Sequence, residues 1–420
     1  MSKKFKIATL GCRTNQYESQ AYKNQLEALG YTAALSHEEA DVCIVNTCTV
    51  TESAHKESKL QVRQLIKKNP HAKMVVTGCA SEKSPELIQE ISGVSLVVPN
   101  KDKDQLVERL FPEESVPEFA INNFDAHTRA FVKVQDGCNS FCTYCIIPYV
   151  RGRSKSRTME SIVQEVEGLI ANGYKEVVLT GINIGDFDGA KAEGKSPERL
   201  AHLVKAIDAI PGLERLRLSS IDPDEVDEEL ADVILLGKKT CPSMHIVLQS
   251  GSNVILKRMN RKYTRQIFLD TVEKLRRQNP DFTFTTDVIV GFPGESESDL
   301  QDTIDVMRRV KFAKVHMFPY SVRSRTRAAL FPNKVAPDVI KERKSRIIKI
   351  AEETAFELRS EYLGREMWVL TESRDNEDLI CGSTANFLPV MIYSKGLQPN
   401  TLVRVRLIES LPEGLVGELL

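Results

Sequence analysis

Cys138-Asn139-Ser140-Phe141-Cys142-Thr143-Tyr144-Cys145 sets three cysteines at spacing C-x3-C-x2-C in one short loop. An apolar, strand-like run, Ala130-Phe131-Val132-Lys133-Val134, comes just before it. Thiolate is a soft ligand that suits zinc and iron–sulfur clusters. A cubane cluster takes four ligands, ordinarily four cysteines, whereas this loop supplies three with no fourth nearby. One iron would stay open, and an open position belongs to chemistry rather than to a closed structural site. A structural zinc knuckle is the competing reading. Zinc sites favour paired C-x2-C units or Cys/His mixtures, and no second pair follows.

Outward from this loop the chain continues as a strand and helix alternation. Strands are expected at 130–134, 176–179, 215–218, 245–248, 283–289 and 314–318. Helices are expected near 159–171, 196–209, 223–235, 264–277, 297–309 and 337–358. Six such units make an incomplete barrel, open on one side. Function in barrels of this kind sits on the loops after the strands, and the cysteine loop follows the first.

A second alternation precedes it. Strands are expected at 6–10, 42–46, 74–77 and 95–98, with helices near 18–29 and 52–68. A further helix starts at Ser84-Pro85-Glu86, with serine as cap and proline at the first helical position. The pattern implies an open parallel sheet. Cys12, Cys48 and Cys79 each follow one of its first three strands, in Leu10-Gly11-Cys12, Asn46-Thr47-Cys48-Thr49 and Thr77-Gly78-Cys79. All three then lie at the carboxyl edge of the sheet, where open α/β sheets place their ligands. A second cluster with one open iron is the natural inference, against the bland alternative of three separately buried thiols. Cys43, inside a strand, reads as core, and Cys241 and Cys381 as bystanders.

The chain has 420 residues, 41% of them hydrophobic, and a formal net charge of -1. That length accommodates two or three domains, and the charge argues neither for nor against nucleic acid. Nine cysteines, scattered and odd in number, do not form a disulfide framework and fit a reducing cytoplasm. Met1-Ser2-Lys3-Lys4-Phe5 lacks a signal peptide's apolar stretch. No apolar run approaches the roughly 20 residues of a membrane span. The expectation is a cytoplasmic protein without membrane contact.

From about residue 361 short strands replace the alternation, at 365–370, 379–381, 388–392, 401–407 and 414–420. They suggest a small β-barrel of the oligonucleotide-binding kind. It carries five Lys/Arg against nine Asp/Glu over residues 361–420, so RNA contact there would need a local patch such as Arg404 and Arg406. Elsewhere basic residues cluster as Arg151, Arg153, Lys155 and Arg157, as Lys257, Arg258 and Arg261, and as Arg323, Arg325 and Arg327. Each patch lies in or beside a strand-end loop, and together they suit phosphates; singly, each reads as solvated charge.

The cysteine loop has the signature of the radical S-adenosylmethionine (SAM) enzymes. The whole chain resembles their methylthiotransferase family through Leu10-Gly11-Cys12, Asn46-Thr47-Cys48-Thr49-Val50-Thr51, Thr77-Gly78-Cys79 and Cys138 to Cys145 followed by Ile146-Ile147-Pro148. The resemblance implies an α/β fold of three domains and one linker: an N-terminal open parallel α/β domain (1–112), the linker (113–128), a partial (βα)6 radical SAM barrel (129–360) and a TRAM-like β-barrel (361–420). It implies two 4Fe-4S clusters, one on Cys138, Cys142 and Cys145, which chelates SAM at its open iron, and one on Cys12, Cys48 and Cys79, which carries the sulfur. One SAM methylates that sulfur; a second, reductively cleaved, yields the radical that opens an unactivated C–H bond. It also implies SAM contacts at Tyr144, beside adenine, and at Gly181, Gln249, Ile289 and Gly291 in the strand-end loops. Three substrate branches exist: isopentenyladenosine in tRNA, threonylcarbamoyladenosine in tRNA, and an aspartate of a ribosomal protein. Thr9-Leu10-Gly11-Cys12-Arg13-Thr14-Asn15-Gln16-Tyr17-Glu18-Ser19 looks most like the threonylcarbamoyladenosine branch, while the acidic terminal barrel keeps the protein-substrate branch open. The expected partners are a tRNA anticodon stem-loop and an electron donor such as flavodoxin or ferredoxin, with a monomeric enzyme. A non-catalytic cluster or zinc scaffold that only binds RNA is the alternative of another class.

Overall fold

Val42–Thr47 is buried at every position and Lys73–Gly78 at all but its first, the pattern of strands covered on both faces. In the computed structural model, which describes residues 3–124, 128–191, 197–374 and 378–420, they are central in a five-stranded parallel sheet. Its order is Thr32–Ala33, Lys4–Thr9, Val42–Thr47, Lys73–Gly78, Val94–Val97. The two-residue edge strand is too short to show a period and was not expected. Glu52–Lys68 forms the expected helix, and the Thr51 hydroxyl caps it by accepting from Ala54 N at 3.1 Å. Pro85–Gln89 starts on proline as expected, but the Ser84 side chain makes no capping bond. The first helix runs Arg13–Ala28, beginning directly after Cys12 rather than at 18. Its polar opening residues read as loop, yet Thr14 and Asn15 are buried.

Six parallel strands form the second group, in two halves. Arg129–Lys133, Glu176–Thr180 and Arg215–Leu218 make one, and Ser243–His245, Thr283–Val290 and Lys314–Pro319 the other. Isolated bridges Leu216–Thr240 and Ile221–Ile246 join them. The fourth strand ends earlier than expected, because Gln249 turns to φ 60 and only single bridges continue the pairing. The helix expected at 196–209 is seen as Leu200–Asp208; Ser196 lies outside the described residues, as do 125–127 of the linker. The helix expected at 223–235 splits into a 3-10 turn, Pro223–Glu225, and a helix, Glu228–Leu236. Asp227 caps the latter, accepting from Leu230 N at 2.8 Å. Among the described residues no helix is long and apolar enough to cross a membrane.

Alternation along these strands separates two surfaces. Ala130, Val132, Val177, Leu179, Leu216 and Phe284 join the core beneath the helices. Their alternates, Arg129, Phe131, Val178, Arg217, His245 and Thr285, line a cavity inside the barrel. A complete barrel fills its interior with packed branched side chains; this one has a polar lumen.

The third group is a closed barrel of Glu366–Arg374, Leu379–Thr384, Pro389–Tyr393, Leu415–Leu419 and Leu402–Ser410, in that order. One pair, Pro389–Tyr393 with Leu415–Leu419, is parallel and the rest antiparallel. The expected small β-barrel is therefore present. It stoppers the amino end of the six-stranded barrel. Arg215 donates to Ser383 O at 2.8 Å and Trp368 O at 2.9 Å, and Arg217 to Ala385 O at 2.8 Å and Thr384 O at 2.9 Å. Phe387 lies under the guanidinium groups of Arg217 and Arg129, at 5.1 and 5.5 Å. Glu176, fully buried, anchors the arginines, taking Arg217 Nε at 2.7 Å. Arg404 and Arg406 are exposed and share one carboxylate, Glu366, each at 2.8 Å.

Removing Arg217 leaves Glu176 buried with weakened compensation. Arg217→Ala is expected to cost at least about 3 kcal/mol in urea unfolding. Limited proteolysis should also cut sooner between residues 360 and 366, where the terminal barrel joins.

Candidate active site

Two glycines shape the N-terminal cysteine edge. Gly11 and Gly78 have φ +101 and +93, a region open chiefly to glycine. A Cβ on Gly11 would lie 3.0 Å from Cys48 Sγ, and one on Gly78 2.5 Å from Thr47 O. They let Cys12 and Cys79 turn in beside Cys48. The Cys48 peptide is clamped by Ser58, whose hydroxyl accepts from Cys48 N at 3.0 Å and donates to Cys48 O at 2.9 Å. Burial, with the neighbouring Cys79 and Cys12 thiols, pushes Cys48 up to about 11. Burial also raises Cys79, opposed by the nearby positive charge of Arg151. The three cysteines expected to converge from separate strands are thus electrostatic neighbours.

The barrel loop is held from several sides. Cys138 N donates to Gly152 O at 3.1 Å, and Phe141 turns the chain at φ 49. Thr143 N donates to Met259 O at 2.9 Å while Thr143 O accepts from Ala328 N at 2.8 Å. Burial and the adjoining Cys142 push Cys145 up to about 12. Arg261 Nη1 donates to Cys142 Sγ at 3.0 Å, and its other nitrogen binds Asp222. Cys79 packs with Ile146, Ile147 and Val150, and Cys138 and Cys145 lie against the same apolar cluster. The two cysteine sets therefore adjoin.

This donor set fits iron–sulfur clusters. Most of its thiols are pushed up by burial, so a cation is needed to deprotonate them, and coordination does that. Among the described residues no three His, Cys, Asp or Glu side chains converge on a single ion. A cubane takes its thiolates on different irons and does not require that convergence.

Gln135, which sequence reasoning missed, ties the next loop to this one. Its Oε1 accepts from Ile182 N at 3.0 Å and Asn183 N at 2.9 Å, and its Nε2 donates to Gly137 O at 2.7 Å. A Cβ on Gly181 would stand 3.0 Å from Gln135 Oε1. Tyr144 meets Phe292 edge-on at 6.4 Å, in a cluster that also receives Ile289. Gln249 is buried with its Oε1 unpartnered, and Gly291 N donates to Glu295 Oε2 at 2.8 Å. Glu225, also missed, is pushed up to about 7 by burial and Asp222, and accepts from Asn183 Nδ2 at 2.8 Å. A glutamate after a strand gives no sequence signal of such a neighbourhood.

The basic patches divide. Arg153, Lys155, Lys257, Arg325 and Arg327 are exposed. Arg151, Arg157, Arg261 and Arg323 are not available to phosphate, because protein groups hold them. Arg323 is buried between Glu52 Oε2 and Thr49 Oγ1, both at 2.6 Å. Arg157 binds Glu165 and the Tyr17 hydroxyl. Arg258 lies half-buried over Phe331 at 5.7 Å. Arg151 is fully buried, with Glu18 Oε1 at 3.1 Å and Asp136 Oδ1 at 2.8 Å. Lys103 reaches the same two carboxylates, Glu18 at 2.6 Å.

These contacts join the domains. Tyr17 OH donates to Glu165 Oε1 at 2.8 Å on the first-strand side, and Arg323, beyond the sixth strand, binds the N-terminal domain. That domain spans the gap left by the incomplete barrel.

The profile described as Radical SAM superfamily matches residues 132–307, and that described as Uncharacterized protein family UPF0004 matches residues 4–99. A threonylcarbamoyladenosine tRNA methylthiotransferase MtaB of Chlamydia pneumoniae is 49% identical over 419 residues, covering 99% of this chain and 98% of its own. The Bacillus subtilis (strain 168) protein of that name is 35% identical, covering 96% and 93%. A tRNA-2-methylthio-N(6)-dimethylallyladenosine synthase of Finegoldia magna is 33% identical, covering 99% and 94%. Among solved structures, the radical S-adenosylmethionine methyltransferase TsrM from Kitasatospora setae shares the fold, with TM-score 0.56 at 16% identity, covering 76% of this chain and 75% of that one.

Burial alone would raise Glu18, but Arg151, Lys103 and Lys133 hold it down to about 2. Its stabilisation is complete above the unfolded value near 4.5 and is lost as pH falls toward about 2. Glu18→Gln should therefore lower unfolding stability at pH 7 by about 3–5 kcal/mol. The gap to the parent protein should narrow as urea titrations move from pH 4.5 downward.

Proposed function

The chain belongs to the radical SAM methylthiotransferases, and from that premise we propose that it inserts a methylthio group at carbon 2 of threonylcarbamoyladenosine, position 37 of tRNA, beside the anticodon. The observation that carries this is the meeting of the two three-cysteine sets against one apolar cluster. The choice of substrate is supported by the relative named for it, 49% identical along its length, against 33% for one named for dimethylallyladenosine.

Carbon 2 bears an unactivated C–H bond, which no acid–base side chain opens. Cys138, Cys142 and Cys145 would hold the cluster at which SAM binds, and Cys12, Cys48 and Cys79 the auxiliary one. When bound, the first supplies the electron for SAM cleavage and the second the sulfur. Around them the protein's own residues set charge and access. Arg261 donates to Cys142, a charge-assisted bond of the kind that stabilises thiolate, and the positive charge of Arg151 lies near Cys79. Ile146, Ile147 and Val150 keep water from the space between. Tyr144, Ile289, Gly181, Gln249 and Gly291 would contact SAM. We take the enzyme to be a cytoplasmic monomer reduced by a flavodoxin- or ferredoxin-type donor.

Anticodon phosphates would meet the exposed Arg153, Lys155, Lys257, Arg325 and Arg327. Arg153 and Lys155 line a cleft of about 550 Å³ together with Lys101 and Tyr149.

Reconstituted enzyme offered each of the three family substrates should methylthiolate threonylcarbamoylated tRNA. Modification of the ribosomal protein or of isopentenylated tRNA instead would refute the assignment. Cys142→Ala should abolish 5′-deoxyadenosine formation, whereas joint replacement of Cys12, Cys48 and Cys79 by alanine should stop insertion and leave SAM cleavage.

Joint reversal of Lys257, Arg325 and Arg327 to glutamate should weaken tRNA binding. The slope of log affinity against log salt should fall by about one per lost phosphate contact. SAM cleavage without RNA should continue.

A further inference from the structure

Arg13 directly follows Cys12 and opens the first helix. Its guanidinium lies over the Phe131 ring at 5.4 Å, inside the barrel lumen. Among the described residues no carboxylate lies within ion-pair reach of it. Of the two acidic groups nearest in charge, Glu176 holds Arg217 at 2.7 Å, and Asp287 faces His245 Nε2 at 3.5 Å without a hydrogen bond. Arg129, another neighbour, is bound to Glu372 at 2.6 Å. Arg13 is thus the lumen cation left to face a ligand.

The surroundings confirm the mismatch. Arg129 and Arg217, both cations, line the same lumen, and Arg13 itself is exposed to water. Beside it is a cavity of about 60 Å³ lined by Arg13, Arg129, Phe131, Arg217 and His245. That volume is large enough for several waters, and so for a carboxylate. The Arg13 guanidinium lies over the Phe131 ring and lines that space.

We propose that Arg13 is a specificity-determining residue that binds a carboxylate on the substrate, the free carboxylate of the threonylcarbamoyl group. This rests on the substrate reading above. A threonylcarbamoyl substituent carries one anionic carboxylate beyond the adenine, and an isopentenyl substituent carries none. A residue next to Cys12 is suitably stationed: sulfur delivered from that edge to carbon 2 leaves the N6 substituent to extend along the lumen. A site built to bind a charged group rejects the analogue lacking it, since its own polar group is left unpaired.

The test uses reconstituted holoenzyme and three anticodon stem-loops, bearing threonylcarbamoyladenosine, its methyl ester, or isopentenyladenosine. Binding is read by fluorescence anisotropy, and turnover as separate KM and kcat. Arg13→Gln should raise Kd and KM for the carboxylate RNA at least tenfold while changing them less than twofold for the ester. Arg13→Lys should recover most of the loss. Iron and sulfide content reports whether each variant retains its clusters. Should Arg13→Gln lose them, Arg13→Lys and the ester comparison in the parent enzyme decide. An unchanged Kd and KM for the carboxylate RNA in Arg13→Gln, or equal parent affinity for acid and ester, overturns the proposal. Failure of the substrate reading has a different signature, in which the parent enzyme turns over isopentenylated RNA and ignores the threonylcarbamoylated one.

Discussion

A single carboxylate without water, that of Glu18, is the constraint on which the arrangement depends. It comes from the N-terminal domain, and the cations that neutralise it come from both sides of the domain boundary: Lys103 from its own side, Arg151 and Lys133 from the barrel. A buried charge of this kind is strongly destabilising unless every partner is in place. The domains therefore have one well-defined way to meet. Arg151 also lies close enough to Cys79 to favour its thiolate, so the contact that joins the domains places a positive charge near a cysteine set. Docking and redox environment cannot vary separately.

The second organising fact is that the six-stranded barrel leaves its inner face polar. Its outer face is as apolar as any α/β core, and all packing stability is gained there. The interior is free to be a chamber, closed at the side by the N-terminal domain and at the amino end by the terminal barrel. A lumen lined by arginine, histidine and aspartate would be a defect in a structural protein. In an enzyme it marks where a polar ligand goes.

Much of this was legible in the sequence, because period-two and period-3.6 patterns and cysteines after strands are local signals. The convergence of Cys12, Cys48 and Cys79 followed from topology alone, and Cys43, read as core, is fully buried. What was illegible was pairing at a distance. Arg151, Arg261 and Arg323 read as surface charge because an arginine's partner, such as Glu18, Asp222 or Glu52, lies far along the chain. The same limit hid Gln135, whose bonds knit two loops that follow different strands. The fourth strand was overextended because an apolar run, Ile246-Val247-Leu248, carries the same signal whether or not its backbone is paired.

The terminal barrel is gripped largely by its main chain. Arg215 and Arg217 reach carbonyl oxygens of residues 368, 383, 384 and 385, and a carbonyl is the same whatever side chain it carries. These bonds read a backbone path, and side-chain identity counts at the joint where Phe387 and Glu372 meet the barrel's arginines. Evolution can rewrite this module's surface, even to net acidity, without loosening its seat, and a foreign five-stranded barrel with the same corner would be graftable onto the same two arginines. Drift is permitted on one side of the seam and forbidden on the other.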